Sequence, residues 1–169
     1  MIQQSKITLS GEELQLVNNT EWILTKRIIL DKAVLLFGEI AQWKKEYIVK
    51  QQRWLPNNVV ISEAKITRGE NYLQLPWVLL DYPRCFDKEN IFVIRTMFWW
   101  GNFFSCTLHL SGSYKILFEQ VIIRNFNLLQ KNNSFLCINN NEWQHHFNTD
   151  NYLPADKLTA TEMEEIISG

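Results

Sequence analysis

A wide apolar stripe occupies the first third of the chain. In residues 20–54, apolar side chains recur in steps of three, four and seven, which is the spacing of one helix face. Leu30, Val34 and Phe37 widen that face, so we expect a long helix that packs on a sheet and also touches a second element. Gly38 lies inside this helix, and we interpret it as a point of close packing against a neighbour. The stripe itself consists of Trp22, Ile29, Leu36, Ile40, Trp43 and Tyr47.

Capping residues and turn residues place the other elements. Ser10, followed two residues later by a pair of glutamates, predicts a short helix that reaches about Val17. Thr20 is predicted to cap the long helix. Runs rich in β-branched and aromatic residues predict strands. Strands are expected within residues 58–68, 75–83, 90–112 and 134–138, and further helices within residues 114–133 and 154–168.

The clearest local signal is a β-hairpin in the segment RTMFWWGNFFSCTLHL, which holds five large aromatic residues around one Gly-Asn pair. The pair Gly101-Asn102 fits a two-residue type II′ turn, which requires glycine at its first central position. Because side chains alternate between the two faces of a sheet, this turn also fixes which residues share a face. The opposed pairs nearest the turn are then Trp100 with Phe103 and Trp99 with Phe104.

The two faces of this predicted hairpin differ in character. One face carries Val93, Met97 and Trp99 and is core, apart from Arg95. The other face is mixed, with aromatic residues near the turn and hydroxyl groups and an imidazole behind them. A covering helix, a ligand pocket and a partner surface all agree with such a mixture. The mixed face comprises Phe98, Trp100 and Phe103 near the turn and Thr96, Ser105, Thr107 and His109 behind it.

The order of the predicted elements is helix, strands, helix, strand and helix. Strands that cluster in the middle and are joined by a hairpin indicate the α+β class. We therefore predict a central antiparallel or mixed sheet that contains the Trp100-Gly101-Asn102-Phe103 hairpin, with the long N-terminal helix and further helices packed on it. The length of 169 residues favours one globular domain over residues 1–169.

Composition and charge narrow the class of protein. The chain is 46% hydrophobic and 21% charged, which is ordinary for a globular protein. A net charge of −1 gives no general attraction to nucleic acid or to an anionic membrane. Arg95 and the Gly101-Asn102 break interrupt the most apolar stretch and argue against a spanning helix. No signal peptide is expected, and three widely spaced cysteines predict reduced thiols in a cytoplasmic protein.

Arg95 is the most informative single charge, because it lies in mid-strand on the face predicted to be core. A buried guanidinium needs an acidic partner, and Asp81 and Glu70 are the candidates. A structural ion pair is the commoner explanation for such a residue. The alternative is an arginine that binds an anionic ligand at the bottom of a pocket.

The sequence gives only weak signals for a metal site, a cofactor site or a catalytic site. His145 and His146 are adjacent, so they point to opposite faces of a strand and are poor ligands to one metal ion. A loop that brings His146 and Asp150 together would be a weak metal signal. The patterns of a nucleophile elbow, a dinucleotide fold and a phosphate loop are absent. We therefore predict no metal and no cofactor, and the sequence does not determine whether the protein is an enzyme.

Two kinds of function remain. The first is a non-catalytic binding or assembly domain that uses the aromatic hairpin face to contact a protein partner or a second copy in a homodimer. The second is an enzyme or carrier for a small, partly apolar, possibly anionic ligand, bound beside Thr96, Thr107 and His109. The lack of a catalytic constellation favours the first. The residues predicted to bind a ligand or partner are Arg95, Thr96, Phe98, Trp100, Phe103, Thr107 and His109.

Overall fold

The computed structural model describes residues 7–169 and confirms the α+β class. A four-stranded antiparallel sheet carries the long N-terminal helix and further helices. The helices are α1 (Gly11–Asn18), α2 (Thr20–Lys50), α3 (Asn57–Val60), α4 (Ser113–Arg124), α5 (Phe126–Lys131) and α6 (Ala160–Ser168). The strands are β1 (Lys65–Tyr72), β2 (Leu75–Phe86), β3 (Ile91–Trp99), β4 (Phe104–Ser111), β5 (Phe135–Cys137) and β6 (Tyr152–Pro154).

The main sheet has the strand order β1-β2-β3-β4, so each strand pairs with the next along the chain. Strands β1 and β2 pair antiparallel, with Ile66 opposite Leu80 and Gly69 opposite Trp77. Burial along β2 alternates between fully and partly buried over most of its length, rather than being complete on both faces. The run 75–83 is therefore a strand, as predicted, with one fully buried face. The short strands β5 and β6 form a separate antiparallel pair.

Contacts along the chain divide it into two compact units, and the prediction of a single domain stays a prediction. Among the described residues, the first unit comprises 7–55, 63–82 and 95–106. Its core forms where α2 packs on the sheet, and the Phe37 ring meets the Phe104 ring edge-on at 6.3 Å. We call the buried residues of α2 the inner row. They are Leu30, Ala33, Phe37, Lys44 and Ile48.

The stripe predicted from the sequence is a different face of α2, and we call it the outer row. Most of its members are exposed, so α2 packs on the sheet, as predicted, but not through this stripe. The residues expected only to widen the face, such as Leu30 and Phe37, supply the buried contacts instead. The outer row consists of Trp22, Ile29, Leu36, Ile40, Trp43 and Tyr47, of which Ile40 alone is partly buried rather than exposed.

The second unit comprises residues 56–62, 83–94 and 107–169. Here α4 packs on β3 through the Phe92 ring, which lies 5.6 Å from the rings of Tyr114 and Phe118. A second buried cluster joins α5, β5, the turn after β6 and α6. Its buried members are Phe126, Leu136, Ala155 and Met163.

Local hydrogen bonds explain where several elements begin. Ser10 and Glu13 form a capping box, which confirms the first predicted helix. The side chain of Asn19, rather than Thr20, caps α2 by accepting from the Trp22 N–H at 3.1 Å. In the terminal segment, a second capping box at Thr159 makes α6 begin at Ala160, later than predicted.

Two predicted segments are subdivided in the structure. The strand expected in residues 58–68 starts only at Lys65, because residues 57–60 form the short helix α3 after Pro56. The helix expected in residues 114–133 is interrupted at Asn125, whose side chain donates to the Val121 carbonyl at 2.7 Å. Asparagine side chains that bond to their own backbone in this way compete with the helix ladder.

Replacement of glycine by alanine should change stability in opposite directions at two positions. Gly38 is exposed, and a Cβ there would meet nothing within 4 Å, so its interpretation as a close-packing point is wrong. Gly38→Ala should raise the free energy of unfolding by about 0.5–1 kcal/mol through helix propensity. A Cβ on Gly69 would lie 2.6 Å from the Trp77 ring. Gly69→Ala should therefore lower the free energy of unfolding by about 1–3 kcal/mol. Urea denaturation measures both, and a common sign would contradict this prediction.

Candidate functional site

The turn of the aromatic hairpin is one residue longer than predicted. The Trp99 carbonyl accepts from the Asn102 N–H at 3.1 Å, and the Trp99 N–H donates to the Phe103 carbonyl at 3.0 Å. Gly101 is therefore the third residue of the turn, and its φ of 71° lies in the region that favours glycine. The hairpin is confirmed, whereas the two-residue type II′ loop is wrong.

This extra residue exchanges the partners of the aromatic side chains. Phe98 lies beside Phe104 with ring centroids 4.8 Å apart, and Trp99 lies beside Phe103 at 5.5 Å. A shift of one residue moves a side chain to the other face of a sheet. Phe103 therefore belongs with Trp99, not with Phe98 and Trp100, and the predicted grouping of these three residues on one face is wrong.

Trp100 is the aromatic residue of the turn itself. Its ring contacts the Phe98 ring edge-on at 6.3 Å, and its backbone N–H donates to the Pro76 carbonyl at 2.9 Å. The side chain is partly buried. It borders an open groove of about 370 Å³, together with residues from the first half of α2. The groove is lined by Asn19, Glu21, Trp22, Thr25, Lys26, Ile29 and Trp100.

Arg95 forms a two-bonded ion pair with Asp81. The guanidinium Nε lies 2.7 Å from Oδ1, and Nη2 lies 2.8 Å from Oδ2. The two side chains are 11% and 13% exposed. Glu70, the other candidate partner, instead binds Lys26. The contacts therefore favour the structural ion pair as the role of Arg95, since the carboxylate neutralises the guanidinium and binds one of its edges with two hydrogen bonds.

Thr96 is also engaged within the protein. The Lys44 ammonium of α2 donates to Thr96 Oγ1 at 2.9 Å, and both residues are buried. Burial lowers the pKa of Lys44 below its ordinary value, while the nearby Cys106 and Asp81 act in the opposite direction. A buried lysine with a lowered pKa can act as a base or a nucleophile, although structural lysines share this property.

Thr107 and His109 belong to the second unit, whereas the other five predicted site residues belong to the first. His109 is partly buried, and its ring packs edge-on against Trp143 at 5.3 Å. Trp143 also stacks on Phe86. His109 is therefore part of an aromatic contact that the sequence did not predict.

Near the end of the chain, one of the two adjacent histidines lies loosely beside an aspartate. His146 Nδ1 lies 4.0 Å from the Asp150 carboxylate, so the loop does bring these two residues together. Within residues 7–169, no group of three histidine, cysteine, aspartate or glutamate side chains is arranged to hold a metal ion. All three cysteines are unpaired thiols.

Two parts of this site were missed by sequence reasoning. Lys44 follows Leu30 and Phe37 at steps of seven, so the spacing marks it as a member of the inner row, and its charge led us to overlook it. The contribution of Trp22 and Ile29 to the groove had no local signal, because it depends on where the hairpin turn lies against α2.

Comparison of the chain with protein-family models, with curated proteins and with solved structures finds no match. Across residues 7–169, every helix is too short or too polar to cross a membrane.

The ion pair predicts a large cost for removing Arg95. Arg95→Ala leaves the Asp81 carboxylate buried without its partner, so it should lower the free energy of unfolding by about 3–5 kcal/mol. Arg68→Ala is the matched control, because its pair with Asp31 is 60% and 64% exposed and should cost less than about 1 kcal/mol. Urea denaturation separates them, and equal losses would show that the Arg95 pair is not structural.

The lowered pKa of Lys44 predicts a specific dependence of stability on pH. Between that lowered pKa and the ordinary value of 10.5, the unfolded chain binds the lysine proton and the folded chain does not. The contribution of Lys44 to stability therefore rises with pH in this window. Compared with Lys44→Met, which lacks the titration, the wild type should gain stability as the pH rises toward the ordinary lysine pKa of 10.5. Parallel pH profiles in urea denaturation would contradict the assignment.

Proposed function

We propose that this protein is a non-catalytic binding or assembly domain whose contact surface includes the Trp100 end of the aromatic hairpin. The observation that carries the proposal is the groove that Trp100 lines together with Trp22 and Ile29 of α2. Trp22 is 50% exposed and Ile29 is 38% exposed, so apolar surface is left uncovered beside the hairpin.

The composition of the groove resembles that of a contact site. Its walls combine two tryptophans and an isoleucine with a few polar groups, and aromatic residues are enriched where proteins bind partners. Lys26 and Glu21 add one charge of each sign at the edge. Contiguous exposed apolar surface of this kind is rare on soluble monomers unless it is used.

The hairpin also offers this surface in a fixed position. The hydrogen bond from the Trp100 N–H to the Pro76 carbonyl ties the turn to β2, and the Phe98 ring supports the indole. A side chain held in this way loses little further freedom when a partner binds. Rigid tryptophans are frequent among the residues that dominate binding energy.

The alternative of an enzyme or carrier for a small anionic ligand has weaker support. The guanidinium of Arg95 is already neutralised by Asp81, and the hydroxyl of Thr96 accepts from Lys44. His109 is engaged with Trp143. Three of the polar groups assigned to that ligand thus have a partner within the protein. Unpaired cysteines and a net charge of −1 support a cytoplasmic location and a partner other than nucleic acid as further parts of the proposal.

The proposal predicts that Trp100 matters for binding more than for folding. Trp100→Ala should reduce the fluorescence of the apolar dye anilinonaphthalene sulfonate bound to the folded protein, with a loss of at least about 1 kcal/mol in dye affinity. The melting temperature should fall by less than about 4 °C, the shift that a change of 1 kcal/mol gives in a small domain.

Trp54→Ala is the matched control, because Trp54 is 67% exposed and does not line the groove. It should leave dye binding unchanged. A Trp100→Ala variant that melts much lower would show that Trp100 is core, and unchanged dye binding would show that the groove is not a binding surface. Either result overturns the proposed function.

A further inference from the structure

The outer row of α2 is an apolar surface without a cover among the described residues of the chain. Leu36 is 42% exposed, Trp43 is 63% exposed and Tyr47 is 54% exposed. The inner row is buried on the sheet, and the outer row lies beside it along the whole helix. At roughly 1.5 Å per residue, the outer row extends for about 37 Å.

The spacing of the outer row is that of a helix–helix seam. From Ile29 the outer row continues through Leu36, Ile40, Trp43 and Tyr47, and with the inner-row residue Ala33 between Ile29 and Leu36 the steps alternate between four and three. Trp22 precedes Ile29 by seven residues. A repeat of seven with two apolar positions is the pattern by which one helix packs along another, each side chain fitting between those of its partner.

We propose that the occupant of this seam is α2 of a second copy of the chain, packed antiparallel to the first. This inference rests on the proposed function and names its partner. In the antiparallel alignment, the seam pairs Trp22 with Tyr47 of the second copy, Ile29 with Ile40, and Leu36 with Ala33, a small inner-row residue at the border of the two rows. Every outer-row position then has an apolar counterpart, apart from Trp43, which meets the aliphatic stem of Lys26.

Charges that border the seam select this direction. Lys32 and Glu39 are exposed and lie seven residues apart on the solvent side of the outer row. The antiparallel alignment places Lys32 opposite Glu39 of the second copy, and the twofold symmetry repeats the pair. In a parallel alignment, Lys32 and Glu39 would instead face the inner row of the partner helix. That row holds Phe37 and Lys44, which are already buried. Only the antiparallel direction makes the charges complementary.

The two ends of the seam also match in shape. At the N-terminal end of α2, the outer row and Trp100 form the groove. At the C-terminal end, Trp43 and Tyr47 stack with ring centroids 5.7 Å apart and stand exposed as a ridge. Antiparallel packing lays the ridge of one copy along the groove of the other. The Trp100 groove is thus completed by the second copy.

Sedimentation velocity of the full chain tests the seam. A single helix pair buries less than the roughly 1,600 Å² of a standard interface, so the wild type should associate at micromolar concentrations. Leu36→Arg should weaken association at least about 30-fold, because both copies carry the change. Leu35→Arg is the control, since Leu35 is 69% exposed, lies off the seam and should change association by less than about threefold.

Thermal melts accompany these measurements, and Trp43→Arg replaces Leu36→Arg if the latter does not fold. A wild type that stays monomeric at about 100 μM would overturn the second-copy proposal. Equal weakening by the Leu35 and Leu36 variants would do the same. If the wild type is monomeric while Trp100→Ala still loses dye binding, the proposed function stands and only its partner is wrong.

Charge reversal tests the direction. Lys32→Glu or Glu39→Lys alone creates two like-charged pairs per dimer, so each variant should associate several-fold more weakly than the wild type at low salt. A mixture of the two variants restores both attractive pairs, because glutamates at positions 32 and 39 of one copy then face lysines of the other. Recovery of association in the mixture supports the antiparallel seam, and a mixture that associates no better than its components overturns it.

Discussion

A helix that is apolar on more than one side can bury only one of them against a single sheet. This constraint governs α2, whose inner row is buried around Phe37 with no exposed surface. Once Phe37 meets Phe104, the direction of every other side chain on the helix follows from the 100° between successive residues. The outer row is therefore exposed as a consequence of the core, and its surface needs another cover or remains in water.

The interior of the first unit also contains charges that must be held together. Arg95 and Asp81 satisfy one another with two hydrogen bonds, and Lys44 reaches Thr96 from the inner row of α2. Such groups stabilise little compared with an apolar core, and they are costly when a partner is missing. Their effect is to favour one alignment of α2 on the sheet, because a shift of one residue would separate Lys44 from its acceptor.

The sequence predicted the kinds of elements better than their faces and ends. The long helix, the hairpin and the buried run of β2 were all visible, because each has a strong local pattern. The choice between the two rows of α2 was not, since both have helical spacing and only contact with the sheet separates them. The start of α6 was misplaced although its signal, Thr159 followed by Glu162, was present in the chain.

In the candidate site, one extra residue in the hairpin turn changes which aromatic side chains lie together. The sequence correctly placed glycine with positive φ in the hairpin turn, but several turns accept glycine there and differ by one residue in length. The longer turn takes Phe103 to the side of Trp99 and leaves Trp100 tied to Pro76 at the edge of the groove. The aromatic cluster thereby contains rings that pack on one another and, at the turn, an indole that also borders the groove. That indole lies beside the same helix whose outer row is uncovered, so within the first unit the hairpin turn and the N-terminal end of the outer row line one groove.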